Sequence, residues 1–366
     1  MAIDVGIRGA GVVGKTLALL LARQGLRVAL QASAVSPAPD IRAFALNRAS
    51  KALLQDLRAW PVDVCPVQHM RVHGDTDGLV HFDTDSQPTE AALAWIVQAQ
   101  ALDTSLQTAL EFAPLVQRVE HQEPCALSVI CEGASSATRE ALGVEFVQSP
   151  YAQSAIAARV QVAFSHQNTA WQWMQGGEVC ALLPLGVAAP GNSMTLVWSV
   201  EHAHAHSLQS MDDTQFAQAL SAATHQALGA VHIDSVRAQW PLQCAQATRW
   251  VGSSATLGAW ALAGDAAHTV HPLAGQGLNL GLADVAQLVR VLAEKEYFRG
   301  LGDMRLLRRY ERARKADAQA VQWATDGLQR LFAHDDDRLR SLRNWGMQAF
   351  DRLKPLKSVV VQQAMG

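Results

Sequence analysis

Apolar and polar positions along this chain repeat with two periods, about 2 and about 3.6 residues, and the switches between them mark its elements. Val5, Gly6 and Ile7 form a short apolar run, and Leu17, Leu20 and Leu21 then recur at helical spacing as far as Gly25. A second run, residues 27–31, follows, so the chain opens as strand, helix, strand. A helical pattern through Leu53, Leu54 and Leu57 runs to Trp60-Pro61, and another is expected to begin at Trp95-Ile96-Val97-Gln98. Between them, residues 70–83 alternate around Asp77-Gly78, a hairpin signal. Residues 129–139 read as a strand, a turn and a polar cluster.

From Tyr151 the pattern becomes strand-like. Residues 154–164 and 193–200 read as long strands with 180–185 between them, followed by an amphipathic helix over 213–228. That helix presents Phe216, Leu220, Ala223 and Ala227 on one face. Ala259-Trp260-Ala261-Leu262-Ala263 then reads as a buried strand, and Leu278, Leu282, Val285, Ala286 and Val289 return to helical spacing. A long helix rich in Arg and Ala covers 306–332.

This order predicts an α/β chain: a Rossmann-like dinucleotide-binding domain, an interleaved antiparallel-sheet substrate domain with helices on one side, and C-terminal helices. The first domain takes residues 1–68, 95–150 and 251–335, the second 69–94 and 151–250, and a helical segment 336–366 ends the chain. Residues 353–361 mix apolar side chains with Lys; they read either as an interfacial anchor or as a helix closing its own core.

Two stretches carry chemistry. The first is Gly9-Ala10-Gly11-Val12-Val13-Gly14, a GxGxxG between a strand and a helix, with a second strand at the right distance. In that arrangement Gly9 makes the tight turn, Gly11 admits a pyrophosphate and Gly14 lets the helix pack closely on the strand. The residue ending the second strand is Gln31, where an acid usually holds the ribose; its amide still accepts a hydrogen bond, without charge assistance. Arg8 places a charge where an apolar residue is expected, and reads as snorkelling or pairing locally. Arg42 could reach a pyrophosphate bidentately, and Gln98 could face a cofactor's sugar chain; a surface position explains each equally well.

The second stretch runs from Gly264 to Asp284 and holds an acid, two histidines, a proline and two closely spaced glycines between strand and helix. Gly264-Asp265 puts a carboxylate at the end of a strand, where it can accept hydrogen bonds from sugar hydroxyls. Gly275 and Gly277 lack Cβ atoms, so their backbone can lie against a flat ligand. The helix that begins near Leu278 and Asn279 aims free N–H groups and its positive dipole end at that ligand. His268 and His271 are the titratable groups here; a histidine beside such a loop more often makes a structural hydrogen bond than an acid–base step.

Composition narrows the setting. The chain has 366 residues, enough for about two domains, and is 49% hydrophobic, so it can bury a sizeable core. A net charge of -3 without a basic block argues against nucleic acid. Five scattered cysteines, Cys65, Cys125, Cys131, Cys180 and Cys244, lack metal-ligand spacing and favour a reducing cytosol. No metal is therefore expected. A signal peptide is not apparent, and no apolar run reaches the ~20 residues that span a bilayer, so cytoplasmic location is expected, with at most peripheral contact at the inner face of the membrane.

With these residues in hand, the sequence resembles the FAD-dependent aromatic hydroxylases of ubiquinone biosynthesis, within the para-hydroxybenzoate-hydroxylase-like flavoprotein monooxygenases. The resemblance rests on Gly264-Asp265-Ala266-Ala267-His268-x-x-His271-Pro272-Leu273-Ala274-Gly275-Gln276-Gly277-Leu278-Asn279-Leu280-Gly281-Leu282-x-Asp284, on the GxGxxG, and on Asp40, Arg42, Ala45 and Leu46. Tyr151-x-Gln153-Ser154-Ala155, Leu182-Leu183-Pro184-Leu185, Trp240-Pro241-Leu242, Tyr310-Glu311-x-x-Arg314-Lys315-x-Asp317 and Asn344-x-Gly346 extend it over nearly the whole chain.

The resemblance implies FAD as cofactor, NADH or NADPH as transient reductant, and O₂ as co-substrate. It implies that Gly9, Gly11 and Gly14 hold the FAD pyrophosphate and that Asp265 holds the ribityl and pyrophosphate region. Pro272 and the backbone from Gly275 to Asn279 would lie beside the isoalloxazine ring, with His271, Pro272, Gly275 and Gln276 at its reacting side. Glu132-Gly133 stands where the group usually has Asp-Gly. The implied activity is hydroxylation of a polyprenylated phenol or quinol, with other quinone-synthesis proteins as partners. A monooxygenase of a small soluble aromatic compound and a non-catalytic flavin-binding scaffold remain the alternatives.

Overall fold

The computed structural model describes residues 2–32, 40–75, 78–84, 92–121, 124–186, 191–270 and 276–333. Its parallel sheet grows around β1 (Val5–Arg8), whose Val5 and Ile7 are fully buried. β2 (Val28–Gln31) and β9 (Leu127–Ile130) flank β1 in parallel. β8 (Val116–Val119) extends the sheet beyond β2, and β17 (Gly258–Leu262) extends it beyond β9, again in parallel. β16 (Val251–Ser254) closes that edge as the antiparallel partner of β17. Strands so apolar on both faces need cover on both. α1 (Val12–Arg23) packs between α7 (Gln276–Ala293) and α3 (Ala99–Glu111), and α8 (Met304–Ala333) packs on α7. Leu17, Leu21, Val129, Leu262, Leu282, Val285 and Leu307 belong to the core so formed.

A larger sheet contains β5 (His69–His73), β6 (Leu79–Asp83), β10 (Phe146–Val162), β11 (Thr169–Gln175), β12 (Glu178–Pro184), β13 (Ser193–Glu201), β14 (Val231–Ile233), β15 (Ala238–Ala247) and β18 (His268–Thr269). Its order is β18-β15-β10-β13-β12-β11-β5-β6, with β14 also on β10. Ile156, Ala158, Val160, Leu182, Leu196 and Trp198 turn one face toward α5 (His202–Ser210) and α6 (Asp213–Ala223), meeting Leu208, Phe216 and Leu220. The other face carries Met70, Ala170 and Leu183. It packs on Cys65, Val67 and Ile96 of a small antiparallel sheet, β3 (Ala43–Leu46), β7 (Ala94–Gln98) and β4 (Val64–Val67). The remaining helices are α2 (Arg48–Asp56) and α4 (Ala137–Ala141).

Several expectations change. Residues 95–98 are strand, not the start of a helix. Ile96 and Val97 are almost fully buried because β7 is the central strand of its sheet, and the helix starts only at Ala99. The helix over 213–228 stops at Ala223, since His225 and Gln226 adopt left-handed backbone (φ 50° and 57°), and Ala227 is exposed. The helical run toward Trp60 ends at Asp56. The large sheet is mixed rather than purely antiparallel, because β5 joins β11 in parallel. The hairpin β5–β6 forms as expected. Residues 353–361 lie outside the described residues. No helix among the described residues is long and apolar enough to cross a membrane.

Candidate functional site

The tips of β1, β2, β3, β7 and β17 gather the predicted residues. At β1 the chain turns sharply: Gly9 has φ +102°, and a Cβ there would stand 2.3 Å from the Cys131 carbonyl oxygen. A Cβ on Gly14 would lie 1.9 Å from the Gly9 carbonyl oxygen, so helix and turn are in backbone contact. Gly11 differs, for a Cβ there meets nothing within 4 Å. It is also the N-cap of α1, and no side chain caps that helix end. Uncapped N–H groups facing open space suit a pyrophosphate.

Gln31 closes β2 and pairs in register with Arg8 of β1. The Gln31 amide Nε2 donates to the Glu120 carbonyl oxygen at 2.8 Å, leaving its buried Oε1 without a partner. Arg8 Nε is likewise buried and unpartnered, so no local pairing through that nitrogen accounts for it. An orphaned acceptor at the ribose position fits a hydroxyl donor. Glu132 is turned away: its carboxylate accepts from Ser136 Oγ (2.7 Å), Thr138 N (3.0 Å) and Thr138 Oγ1 (2.7 Å), and so holds the start of α4.

Arg42 and Gln98 come together because Ala43 pairs with Gln98 and Ala99 N donates to the Arg42 carbonyl oxygen at 2.9 Å. Arg42 is half exposed and bonds Asp40, Nη2 to Oδ2 at 2.7 Å. The bond to Asp40 keeps the guanidinium charged against the pull of burial, and the charges of Asp40 and Asp265 add to it. Gln98 Nε2 donates to Asp63 Oδ2 at 3.2 Å.

Asp265 stands in a single 3₁₀ turn, Gly264–Ala266, just past β17. Its side chain is open to solvent, yet the surrounding protein raises its carboxyl above the ordinary range. Both hold for an acid in the wall of a depression. Burial is the main cause and Asp284 adds to it, while His268 and Arg42 oppose it.

Behind the turn lies a buried network centred on Asp284 of α7. Asp284 has no exposure and accepts from Gly264 N (2.9 Å), His268 Nε2 (2.7 Å) and Arg314 Nε (2.8 Å). Burial alone would push its carboxyl up, but His268 and Arg314 hold it below the ordinary value. Trp250 stacks on His268 at 4.9 Å, and α8 locks the back: Tyr310 Oη donates to the Leu262 carbonyl and Glu311 accepts from Trp250 N, both at 2.8 Å. His268 is thus structural in this arrangement.

The α7 side of the site is only partly described. Gly277 faces open space. Leu278 packs on the core from its edge. Asn279 is committed within the protein, accepting from Asn47 N (3.0 Å) and Ser50 Oγ (2.7 Å) and donating to the Ala45 carbonyl oxygen (2.8 Å). Its side chain therefore fastens α7 to β3 and α2 and leaves only backbone for a ligand. His271, Pro272 and Gly275 lie outside the described residues, as does the side chain of Gln276.

Sequence reasoning did not mention Lys15, and it quoted Asp284 and Arg314 as motif letters without giving either a task. Lys15 is buried in α1 and bonds Asp103 of α3 at 2.6 Å, tying the two helices that flank the site. A lysine inside the apolar run of α1 was the available signal. Among the described residues no cluster of three or more His, Cys, Asp or Glu could hold a metal ion.

Comparison with known proteins adds to this geometry. Residues 89–325 match the family described as FAD binding domain. The chain is 31% identical to 3-demethoxyubiquinol 3-hydroxylase of Escherichia coli, covering 99% of this chain and 98% of that protein. It is 29% identical to ubiquinone biosynthesis monooxygenase COQ6 of Drosophila melanogaster, over 99% and 90%. Ubiquinone hydroxylase UbiL of Rhodospirillum rubrum is also 29% identical, over 99% and 89%. The structure of p-nitrophenol 4-monooxygenase from Pseudomonas putida superposes with a TM-score of 0.76 at 17% identity, covering 100% of this chain and 98% of that one. PqsL from P. aeruginosa gives 0.76 at 21%, over 95% and 100%; both likenesses concern the fold.

Proposed function

Because the chain belongs to the FAD-dependent hydroxylases of ubiquinone biosynthesis, within the para-hydroxybenzoate-hydroxylase-like flavoprotein monooxygenases, we propose that it uses NADH or NADPH and O₂ to hydroxylate the ring of a polyprenylated phenol or quinol. The observation that carries this reading is the end-to-end match to a relative whose name specifies a ubiquinol ring. The strand tips supply a place for the cofactor.

FAD, when bound, accepts a hydride and activates O₂. The residues bind, orient and exclude water. The uncapped start of α1 at Gly11 holds the pyrophosphate, Gln31 Oε1 accepts from the adenosine ribose, and Gly264-Asp265 turns a carboxylate toward the ribityl hydroxyls. Arg42, exchanging Asp40 for a phosphate, and Gln98 complete the rim. Gly277, Leu278 and Asn279 present the backbone of α7 and its positive end to the ring. His271, Pro272, Gly275 and Gln276, which the family resemblance assigns to the reacting side, are the residues we propose for it. We place the enzyme in the cytoplasm, in peripheral contact with the membrane that holds a prenylated substrate.

The purified protein is expected to be yellow and to oxidise NAD(P)H faster when a phenol is added, and Asp265→Ala to lose both properties. Protein that stays colourless after reconstitution with FAD would end the reading. Accumulation of a prenylated precursor in a deletion strain would separate it from hydroxylation of a small soluble compound.

A further inference from the structure

The first strand ends on a charge that nothing in the fold uses. Arg8 of β1 lies in register with Gln31 of β2 on one side and Ile130 of β9 on the other, and Gln31 in turn with Val119 of β8. Residues in register turn to one face of a sheet, so Arg8 and Gln31 stand side by side between two apolar neighbours. Both close their strands where the turn at Gly9 begins. Gly9 N donates to the Gln31 carbonyl oxygen at 3.0 Å, and Cys131 N to the Arg8 carbonyl oxygen at 2.7 Å, so the backbone of each tip is fixed.

What stays uncommitted is in the side chains. Arg8 Nε is a buried donor and Gln31 Oε1 a buried acceptor, and neither has a partner. The Gln31 amide spends its nitrogen on the Glu120 carbonyl oxygen at 2.8 Å, which leaves the oxygen end free. Among the described residues no carboxylate pairs with Arg8. Glu132, just past β9, spends both its oxygens on Ser136 and Thr138.

An acid at the end of β2 would only accept, and so would take the hydroxyl protons of an adenosine ribose. Here the two strand tips offer one neutral acceptor and one charged donor instead. A buried cation without a partner is destabilising, and a ribose hydroxyl does not bring the charge it lacks. A phosphate on that ribose does, through the charge-assisted bond that suits a guanidinium. Dinucleotide folds that accept a ribose 2′-phosphate place an arginine near it for this reason.

We infer that the groove at Gly11 also takes adenosine dinucleotides phosphorylated on the adenosine ribose, the NADP(H) class, with Arg8 on the phosphate and Gln31 Oε1 on the neighbouring hydroxyl. These nucleotides compete with FAD for the groove, so flavin loading answers to their supply. The inference rests on reading the groove as the FAD site.

The test uses FAD-loaded enzyme and follows release of FAD by flavin fluorescence, with 2′-phospho-ADP-ribose and ADP-ribose as competitors. Neither carries a nicotinamide, and only a ligand in the flavin groove displaces FAD. The phosphorylated competitor is expected to act at a concentration at least about tenfold lower, and Arg8→Leu to remove that advantage, a loss of roughly 10- to 100-fold. Gln31→Glu should remove it too, by repelling the phosphate, while holding FAD more tightly. Ligand-free Arg8→Leu should melt no lower than the parent, since the guanidinium bonds nothing there. Equal release by the two competitors, an advantage that survives Arg8→Leu, or a lower melting temperature in that variant would each overturn the inference. Failure of the FAD reading shows separately, as protein that stays colourless after reconstitution. On such protein the same two nucleotides are titrated directly by calorimetry, with the same ratio expected and equal affinities again overturning the inference.

Discussion

Replacing Asp284 by Asn tests whether the buried network holds the site together. The substitution keeps the shape and removes a charge that lies among three donors, Gly264 N, His268 Nε2 and Arg314 Nε, at 2.7–2.9 Å. Arg314 is then left 5% exposed with Asp317, a carboxylate at the surface, and a long bond to the Leu280 carbonyl oxygen (3.5 Å) as its remaining partners. Removing one member of a buried pair costs ~3–5 kcal/mol, about a fifth or more of the ~5–15 kcal/mol that holds a typical protein folded. Arg314→Met should cost a similar amount, by stranding Asp284. In the double variant the oxygen of the introduced amide can serve Gly264 and His268, while its nitrogen points where the Arg314 guanidinium stood. The double loss should fall short of the sum by ~2–3 kcal/mol. Urea unfolding of ligand-free protein at neutral pH reads all three. Additive losses within ~0.5 kcal/mol, or a cost below ~1 kcal/mol for Asp284→Asn, would refute the argument. The pH dependence gives a second reading. The folded carboxyl of Asp284 is held below its ordinary value, so its contribution is full above the unfolded pKa, about 3.9, and is lost as pH falls through the folded one. The gap between parent and Asp284→Asn should therefore narrow in acid below about pH 4.

Asp265 should behave in the opposite sense. Its folded carboxyl is raised by burial, so the ionised form weakens the fold at neutral pH, and the penalty lifts as pH falls through that pKa. Asp265→Asn should thus raise the melting temperature of ligand-free protein at pH 7, not below about pH 3, and weaken FAD binding measured by flavin fluorescence. Gly11→Ala and Gly14→Ala form a contrasting pair. The first should leave folding intact and weaken FAD about tenfold or more, since its Cβ meets only the space a ligand needs. The second should unfold the protein before any ligand question arises, because its Cβ would sit 1.9 Å from a backbone oxygen. Circular dichroism melts and FAD titrations read both. Asn279→Ala should lower stability and FAD affinity together, since its side chain joins α7 to β3 and α2.

Much of the parallel half was legible, because its signals are local. A GxGxxG between strand and helix fixes its own geometry: Gly9 makes the tight turn and Gly14 the close packing that their spacing implies, and Gly11 faces open space. The small sheet was not, since Trp95-Ile96-Val97-Gln98 carries no period that separates strand from helix in four residues; the neighbours β3 and β4 decide it, and they lie far away in sequence. The left-handed stop at His225 and Gln226 is hidden for the same reason, as neither residue is a usual helix breaker.

The Tyr310 motif shows how a recognised pattern can be read for its wrong half. Its letters suggested a place in the family and no task. In the structure they bond segments around the turn that carries Asp265: Tyr310 on the Leu262 carbonyl, Glu311 on Trp250 N, Arg314 on Asp284, and Lys315 on the Thr248 carbonyl. The same division runs along α7, where Asn279 and Asp284 face into the protein while Gly277 faces out. A site for a large planar cofactor needs backbone on its surface, because backbone groups are fixed and short. That backbone has no side chains of its own to brace it, so the bracing must come from behind. Asp284, reaching Gly264 N from one side and Arg314 from the other, supplies that brace. A substitution there should loosen FAD without touching it, and the ratio of FAD affinity lost to stability lost should match that of Arg314→Met. Different ratios would mean that the two residues act on the cofactor by separate routes.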